Sequence, residues 1–165
     1  MAVEQTPASV QSDGKWRITY VPSGSNALSV AILNGATAKP VTYGLTADGW
    51  NHTVSQATAE DNRLTLTSDL SRPGRITETL EITYVRSTTA DSADVIFTEG
   101  LAGQLLVRRA VDNTTTHIAT TQKGDLITFV AGVKRPNPPV ENGVDTITQT
   151  LYITSPTLRD QTLVA

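Results

Sequence analysis

The chain has 165 residues, no cysteine, and 13 basic against 16 acidic side chains, which give a formal net charge of −3. A chain of this length is expected to form a single domain, whose core is large enough to be stable without a disulfide or a metal ion. The lack of cysteine excludes disulfides, thiolate catalysis and Cys-ligated zinc. The even charge balance is unlike the clustered Lys and Arg of a nucleic-acid-binding domain.

Threonine occurs 27 times, and this β-branched residue favours strands over helices. The first 15 residues have neither the basic nor the apolar region of a signal peptide. All apolar runs are shorter than the ~20 residues of a membrane helix. We therefore expect a soluble, mainly β protein without a secretion signal or a membrane partner. Residues 1–13 lack a periodic apolar face and are predicted to be an N-terminal arm.

The first strand is predicted at Gly14–Val21, where Trp16, Ile18 and Tyr20 share one face. The short apolar run Leu28–Leu33 is read as a further strand, because the turn pair Asn34-Gly35 ends it. Residues 34–62 contain only a weak strand candidate at 38–43. We expect a long loop over 34–62, and loops of that length are commonly functional.

The clearest strand pattern is Arg75–Arg86, where apolar residues and Glu78 alternate with Thr77, Thr79, Glu81 and Thr83. A period of two predicts a half-buried strand. A shorter alternating run at 63–67 predicts another strand. One helix is predicted over about 90–101, from capping residues before Asp91 and an approximately helical spacing of apolar residues up to Leu101.

Strand patterns then resume in four segments, namely 103–111, 116–121, 125–134 and 146–154. Between the last two lies a loop at 135–145, because Pro136, Pro138 and Pro139 prevent regular pairing. Residues 155–165 are predicted to be a C-terminal arm. The predicted fold is thus a β-sandwich or barrel over 14–154 with one short helix, two extended terminal arms and a long loop.

No catalytic chemistry is predicted. His52 and His117 each lack a second histidine at metal-ligand spacing, so both are interpreted as structural or solvated. The chain has no nucleophile elbow, Walker loop or dinucleotide-binding motif. The basic pairs Arg108-Arg109 and Lys134-Arg135 are interpreted as solvated strand ends or partners for acids across an interface. We expect no enzyme activity, no metal and no cofactor.

The order of segments resembles the major tail tube proteins of long, non-contractile phage tails. The similarity covers residues 14–156 and rests on the long strand 75–86, the helix at 90–101 and three segments that follow them. Those segments are GQLLVRRAV at 103–111, GDLITFVAGVKRPNPP at 124–139 and TITQTLYITSP at 146–156.

The resemblance implies a subunit that forms hexameric rings, which stack into a tube that conducts the genome. It implies other tail proteins as partners, such as the tape measure, tail terminator and baseplate or tip proteins, with DNA passing through unbound. The protein would reside in the virion tail and, during assembly, in the host cytoplasm. In this family a long loop and the terminal arms bridge rings. The candidate contacts here are Trp50, His52, Pro136, Pro138 and Pro139.

A tube lumen should not bind the DNA that passes through it, and each Lys or Arg on phosphate adds affinity. We therefore predict that a Thr-rich, nearly cation-free strand face lines the lumen. The first candidate face consists of Thr77, Thr79, Glu81 and Thr83. The second consists of Thr148, Thr150 and Thr154.

A binding module, either a carbohydrate-binding β-sandwich or a capsid decoration protein, is the main alternative. Sugar sites usually present exposed aromatic side chains. The chain has two tryptophans, Trp16 on an apolar strand face and Trp50 beside His52 in the expected loop. Trp50 is the residue that favours this alternative.

Overall fold

The computed structural model describes residues 9–61 and 70–165. The strands of these residues are β1 Arg17–Pro22, β2 Lys39–Pro40, β3 Leu45–Asp61, β4 Leu70–Val85, β5 Ala102–Arg108, β6 Lys123–Pro136, β7 Thr146–Ile153 and β8 Leu158–Thr162. The helical elements are α1 Val30–Leu33, α2 Ala93–Ile96 and the 3-10 turn Thr42–Gly44. The prediction of a mainly β protein is confirmed.

All these strands belong to one antiparallel sheet in the order β2-β1-β5-β6-β7-β4-β3. β8 pairs with the first part of β6, on the edge that β7 occupies further along. The sheet curls into a half-barrel. Its two end strands, β2 and β3, are consecutive in the chain and are joined across the open side by the 3-10 turn.

The main core fills the concave side of the half-barrel. Phe97, which follows α2, is 1% exposed, and its ring centroid lies 5.9–6.1 Å from those of Tyr20, Tyr84 and Phe129. Gly44 lies directly against α2, since a Cβ there would stand 2.9 Å from the Cβ of Ala93. The helix and the 3-10 turn therefore close the open side together.

A second core covers the convex side of β1, β5 and β6. Val21, Leu106 and Leu126 of these strands pack with Leu33 of α1 and with Leu163, which is fully buried. Both faces of these strands are consequently buried. The convex face of β4 and β7 lies outside this second core.

Two predictions are corrected by the second core. Residues 28–33 were expected as a strand, but an apolar run of this length is equally compatible with a helix, and 30–33 form α1. Residues 155–165 were expected as an arm, yet β8 pairs with β6 and Leu163 is inserted among apolar side chains. The C-terminal segment is therefore part of the folded body.

The predicted loop over 34–62 is also corrected, because residues 45–61 form the 17-residue strand β3. Its outer part, 51–61, pairs with 70–81 of β4, and β4 begins to pair with β7 only at Leu80. We call residues 51–61 and 70–79 the ribbon. At roughly 3.3 Å per residue its first strand is about 35 Å long.

The remaining predictions have mixed outcomes. The helix expected over 90–101 is the single turn α2, capped by Ser92, because Asp91 and Gly100 both have positive φ, at 65° and 77°. Residues 116–121 are not a strand in the structure. Residues 9–13 are exposed and without regular structure. The N-terminal arm otherwise lies outside the described residues, as does the whole of the expected strand 63–67.

Candidate functional site

The uncovered convex face of β3, β4 and β7 is a surface of short polar side chains. Strand alternation places Leu80, Ile82 and Tyr84 in the core, each at most 1% exposed, so the residues between them point outward. The pairing register sets the polar residues of the three strands beside one another. We call this surface the hydroxyl face, and its members are Asn51, Thr53, Ser55, Thr77, Thr79, Glu81, Thr83, Thr148 and Thr150.

Charge on the hydroxyl face is balanced by one ion pair. Arg135 of β6 reaches across β7 and donates to Glu81 at 2.5 Å. The sequence predicted a nearly cation-free face, and the structure adds Arg135 while leaving the net charge of the pair at zero. Both side chains are about half exposed, at 57% and 44%, so the pair contributes little to stability.

Cross-strand hydrogen bonds order the hydroxyls at one end of this face. The Oγ1 atoms of Thr83 and Thr148 lie 2.9 Å apart. The side-chain amide of Asn137 donates to the hydroxyls of Thr146 and Thr148 at 2.9 and 3.0 Å. Thr154 lies beyond the end of β7. The structure therefore places the first predicted set, 77, 79, 81 and 83, on one face together with Thr148 and Thr150 of the second set.

A partly buried ionic cluster joins the ribbon to the C-terminal segment on the concave side. The Glu78 carboxylate accepts a hydrogen bond from Arg159 at 2.7 Å and another from the Thr157 hydroxyl. His52 Nε2 lies 3.3 Å from the same carboxylate. The Glu78 side chain is only 12% exposed. Burial acts to raise the pKa of Glu78, but the hydrogen bonds from Thr157 and His52 and the charge of Arg159 outweigh it and lower that pKa.

Beside this cluster lies a groove of about 560 Å³ between the ribbon and the chain that follows β7. We call it the ribbon groove. Its lining includes Gly74, Ile76, Glu78, Ile153, Pro156 and Arg159. Ile76 is 49% exposed there. The sequence signal for this site was Glu78, a charged residue on the apolar face of an alternating strand.

The proline-rich loop lies at the other end of β7. The loop was predicted over 135–145, but Arg135 and Pro136 are still paired with β7, since a proline is tolerated at a strand end. Pro138 and Pro139 lie in an exposed segment, 138–145. Val140 and Val144 of this segment are 72% and 66% exposed. We call residues 138–145 the valine loop.

Trp16 and Trp50 flank a second groove of about 500 Å³, and both pack against the main core. The guanidinium of Arg109 lies 4.9 Å from the centre of the Trp16 ring and is held by Asp125 at 2.7 Å. Trp16 is thus covered on one side and packed on the other. A sugar-binding platform needs a free aromatic face, which Trp16 does not have. Trp50, the residue that favoured the carbohydrate-binding alternative, is partly buried against the main core.

Arg108 was expected at a solvated strand end, but it is fully buried. Its guanidinium donates to the carbonyls of Asp112, Thr115 and Thr116 and to the side chain of Gln122, at 2.8–3.2 Å. These hydrogen bonds satisfy backbone carbonyl groups of the segment that connects β5 to β6. The same segment covers Arg108 and shields it from water. The buried charge is tolerated because the guanidinium is hydrogen-bonded.

His117 lies in the same segment and is 2% exposed, with Nε2 3.3 Å from the Thr19 hydroxyl. Burial and the neighbouring charges of Arg108 and Arg17 lower the pKa of His117 to about 4. The imidazole is therefore neutral at physiological pH. Its role is structural, as the sequence predicted.

Among residues 9–61 and 70–165, no three His, Asp or Glu side chains come together as a metal site would require. Within the same residues, no helix has the length and apolar character to cross a membrane. The prominent features are an extended ribbon, a neutral polar face and an exposed apolar loop. An unpaired strand edge and exposed apolar side chains are typical of a subunit that contacts other protein chains.

A family model described as phage tail tube protein matches residues 3–165, and the chain belongs to that family. The family is structural rather than enzymatic, and its members are components of the phage tail. No curated protein matches this sequence.

Solved structures support the fold. A chain of the "Cryo-EM structure of the anti-feeding prophage (AFP) baseplate, 6-fold symmetrised" is similar with a TM-score of 0.56. The alignment covers 96% of this chain and 99% of that chain at 6% identity. At this identity the similarity concerns the fold.

Proposed function

We propose that this chain assembles into hexameric rings that stack into a tail tube, and that DNA passes through the tube. Membership of the tail tube family supports this proposal, as does a fold shared with a chain of a baseplate structure that was six-fold symmetrised. The subunit assembles in the host cytoplasm and contacts the tape measure, tail terminator and baseplate or tip proteins.

The hydroxyl face is the observation that supports DNA passage most strongly. Each Lys or Arg that contacts phosphate adds salt-dependent affinity and slows a moving strand. On this face Arg135 is paired with Glu81, and the other members are Thr, Ser and Asn. Arg75, two positions before Thr77, is an exposed cation on the same side of β4, beyond these members. We assign this face to the lumen, in agreement with the prediction for Thr77, Thr79, Glu81 and Thr83.

The ribbon supports contacts between rings. About 35 Å of paired strand extends from the point where β7 ends, and none of its residues is buried. The outer edge of β3 has no partner strand among the described residues. Exposed edges of this kind are normally covered or paired, and a neighbouring copy supplies the cover. Trp50 and His52 lie at the base of the ribbon, and their contact with another ring stays a prediction.

Negative-stain electron microscopy of the purified, concentrated protein tests the proposal. Rings or stacked tubes with six-fold top views are the expected result. A preparation that remains monomeric both alone and with a tail initiator complex would contradict it.

A further inference from the structure

The ribbon groove and the valine loop lie at opposite ends of the same strand. β7 begins at Thr146, directly after the loop, and ends at Ile153, which lines the groove. Eight residues of strand separate them by roughly 26 Å. Copies that stack along this strand direction therefore bring the loop of one copy to the groove of the next.

The two surfaces are complementary in apolar character. Val140 and Val144 are among the most exposed apolar side chains of the described residues, and no other part of residues 9–61 and 70–165 covers them. The groove offers Ile76, Ile153 and Pro156 in a cleft of about 560 Å³. Apolar side chains that are exposed together commonly mark contacts with another protein.

The charges of the groove do not oppose an acidic loop. Glu141 and Asp145 are the charged residues of the valine loop, and both are exposed. In the groove, Arg159, whose side chain is 47% exposed, is paired with Glu78 at 2.7 Å. The acid of the groove, Glu78, is already neutralised by Arg159 and hydrogen-bonded by Thr157.

We infer that the valine loop of one copy inserts into the ribbon groove of the copy stacked upon it. The contact is heterologous, because it joins different surfaces of identical chains, and repetition of such a contact builds an open polymer. This inference rests on the proposed function and names the surfaces that join successive rings.

Cysteine cross-linking tests the inference cleanly, because the natural chain has no cysteine. The double variant Val140→Cys with Ile76→Cys is assembled under reducing conditions, checked for tubes by electron microscopy and then oxidised. We expect a ladder of disulfide-linked chains on a non-reducing gel, extending beyond the hexamer. Chains with either single substitution can form nothing larger than a dimer.

The matched control pairs Val140→Cys with Ile118→Cys. Ile118 is 48% exposed, against 49% for Ile76, and it precedes β6 at the end of the sheet away from the valine loop. No ladder is expected from this pair. Tubes that give no ladder with Ile76, or the same ladder with Ile118, would overturn the inference while leaving the tube itself established.

If the double variant does not assemble, tubes grown from an equal mixture of the two single variants replace it. Disulfide-linked dimers that contain one chain of each variant are then expected. Their absence would overturn the inference. Failure of the natural chain to form rings or tubes would overturn the proposed function, and the inference with it.

Discussion

Arg159 donates to the Glu78 carboxylate at 2.7 Å, and this contact joins residues that lie 81 positions apart in the chain. It fixes the base of the ribbon against the start of β8. A structural subunit that reaches a neighbour with an extended ribbon needs that ribbon to leave the body at a defined angle. Glu78 contributes to this angle because it contacts His52 of β3 as well as Thr157 and Arg159.

Replacing Glu78 with Gln removes the charge that three partners share. Hydrogen bonds to a charged group contribute about 1.5–3 kcal/mol, so we expect the free energy of unfolding to fall by about 2 kcal/mol. Glu81→Gln is the control, since Glu81 is 44% exposed and a surface ion pair contributes at most about 1 kcal/mol. Urea unfolding of both variants provides the measurement. Equal losses would show that Glu78 has no special role.

Acid should destabilise the fold through His117. Its pKa is about 4 in the folded protein and 6.5 ordinarily, so between those values the unfolded chain binds a proton that the folded protein does not. Stability is therefore full above about pH 6.5 and falls as the pH drops towards 4, by on the order of 3 kcal/mol.

Urea unfolding of the natural chain and of His117→Gln at several pH values checks this prediction. The glutamine variant should be less stable at pH 7 and should lose less stability on acidification. Parallel pH dependences of the two proteins would show that other groups cause the acid effect.

Reversing the charge of Glu81 should slow DNA release. In Glu81→Lys, a new cation joins an Arg135 that has lost its partner, so two charges per subunit can contact phosphate. Genome ejection from otherwise normal particles, followed by the fluorescence of a DNA dye, should slow several-fold, more so at low salt. Arg135→Glu makes the face acidic and should leave the ejection rate unchanged. A normal rate with Glu81→Lys would show that Glu81 is not in the lumen.

Phe97 should be one of the most sensitive core positions. It is 1% exposed and contacts three aromatic rings, so Phe97→Ala should cost about 3–5 kcal/mol. Tyr152→Ala removes a large ring that is 61% exposed, and a surface change of this type usually stays within about 0.5 kcal/mol. Calorimetric Tm values of both variants test the difference. Similar losses would contradict the assignment of the core.

The sequence alone determined the class of fold and several of its strands. In β4, Leu80, Ile82 and Tyr84 alternate with polar residues, and the structure confirms both the strand and its core face. Such strands are half-buried, so the alternation of apolar and polar residues predicts which side chains are buried and which are exposed. The outward set Thr77, Thr79, Glu81 and Thr83 was predictable for the same reason.

The tertiary structure alone decided the segments whose surroundings come from distant parts of the chain. β3 is polar on both faces of the ribbon, so it shows no period of two, and only pairing with β4 makes it a strand. Arg108 looks like a surface residue until the segment after β5 folds over it. β8 and Leu163 are held by a sheet edge and a core built elsewhere. Periodicity reports which side of a strand is buried by its own sheet, and it contains no information on what a remote segment will cover.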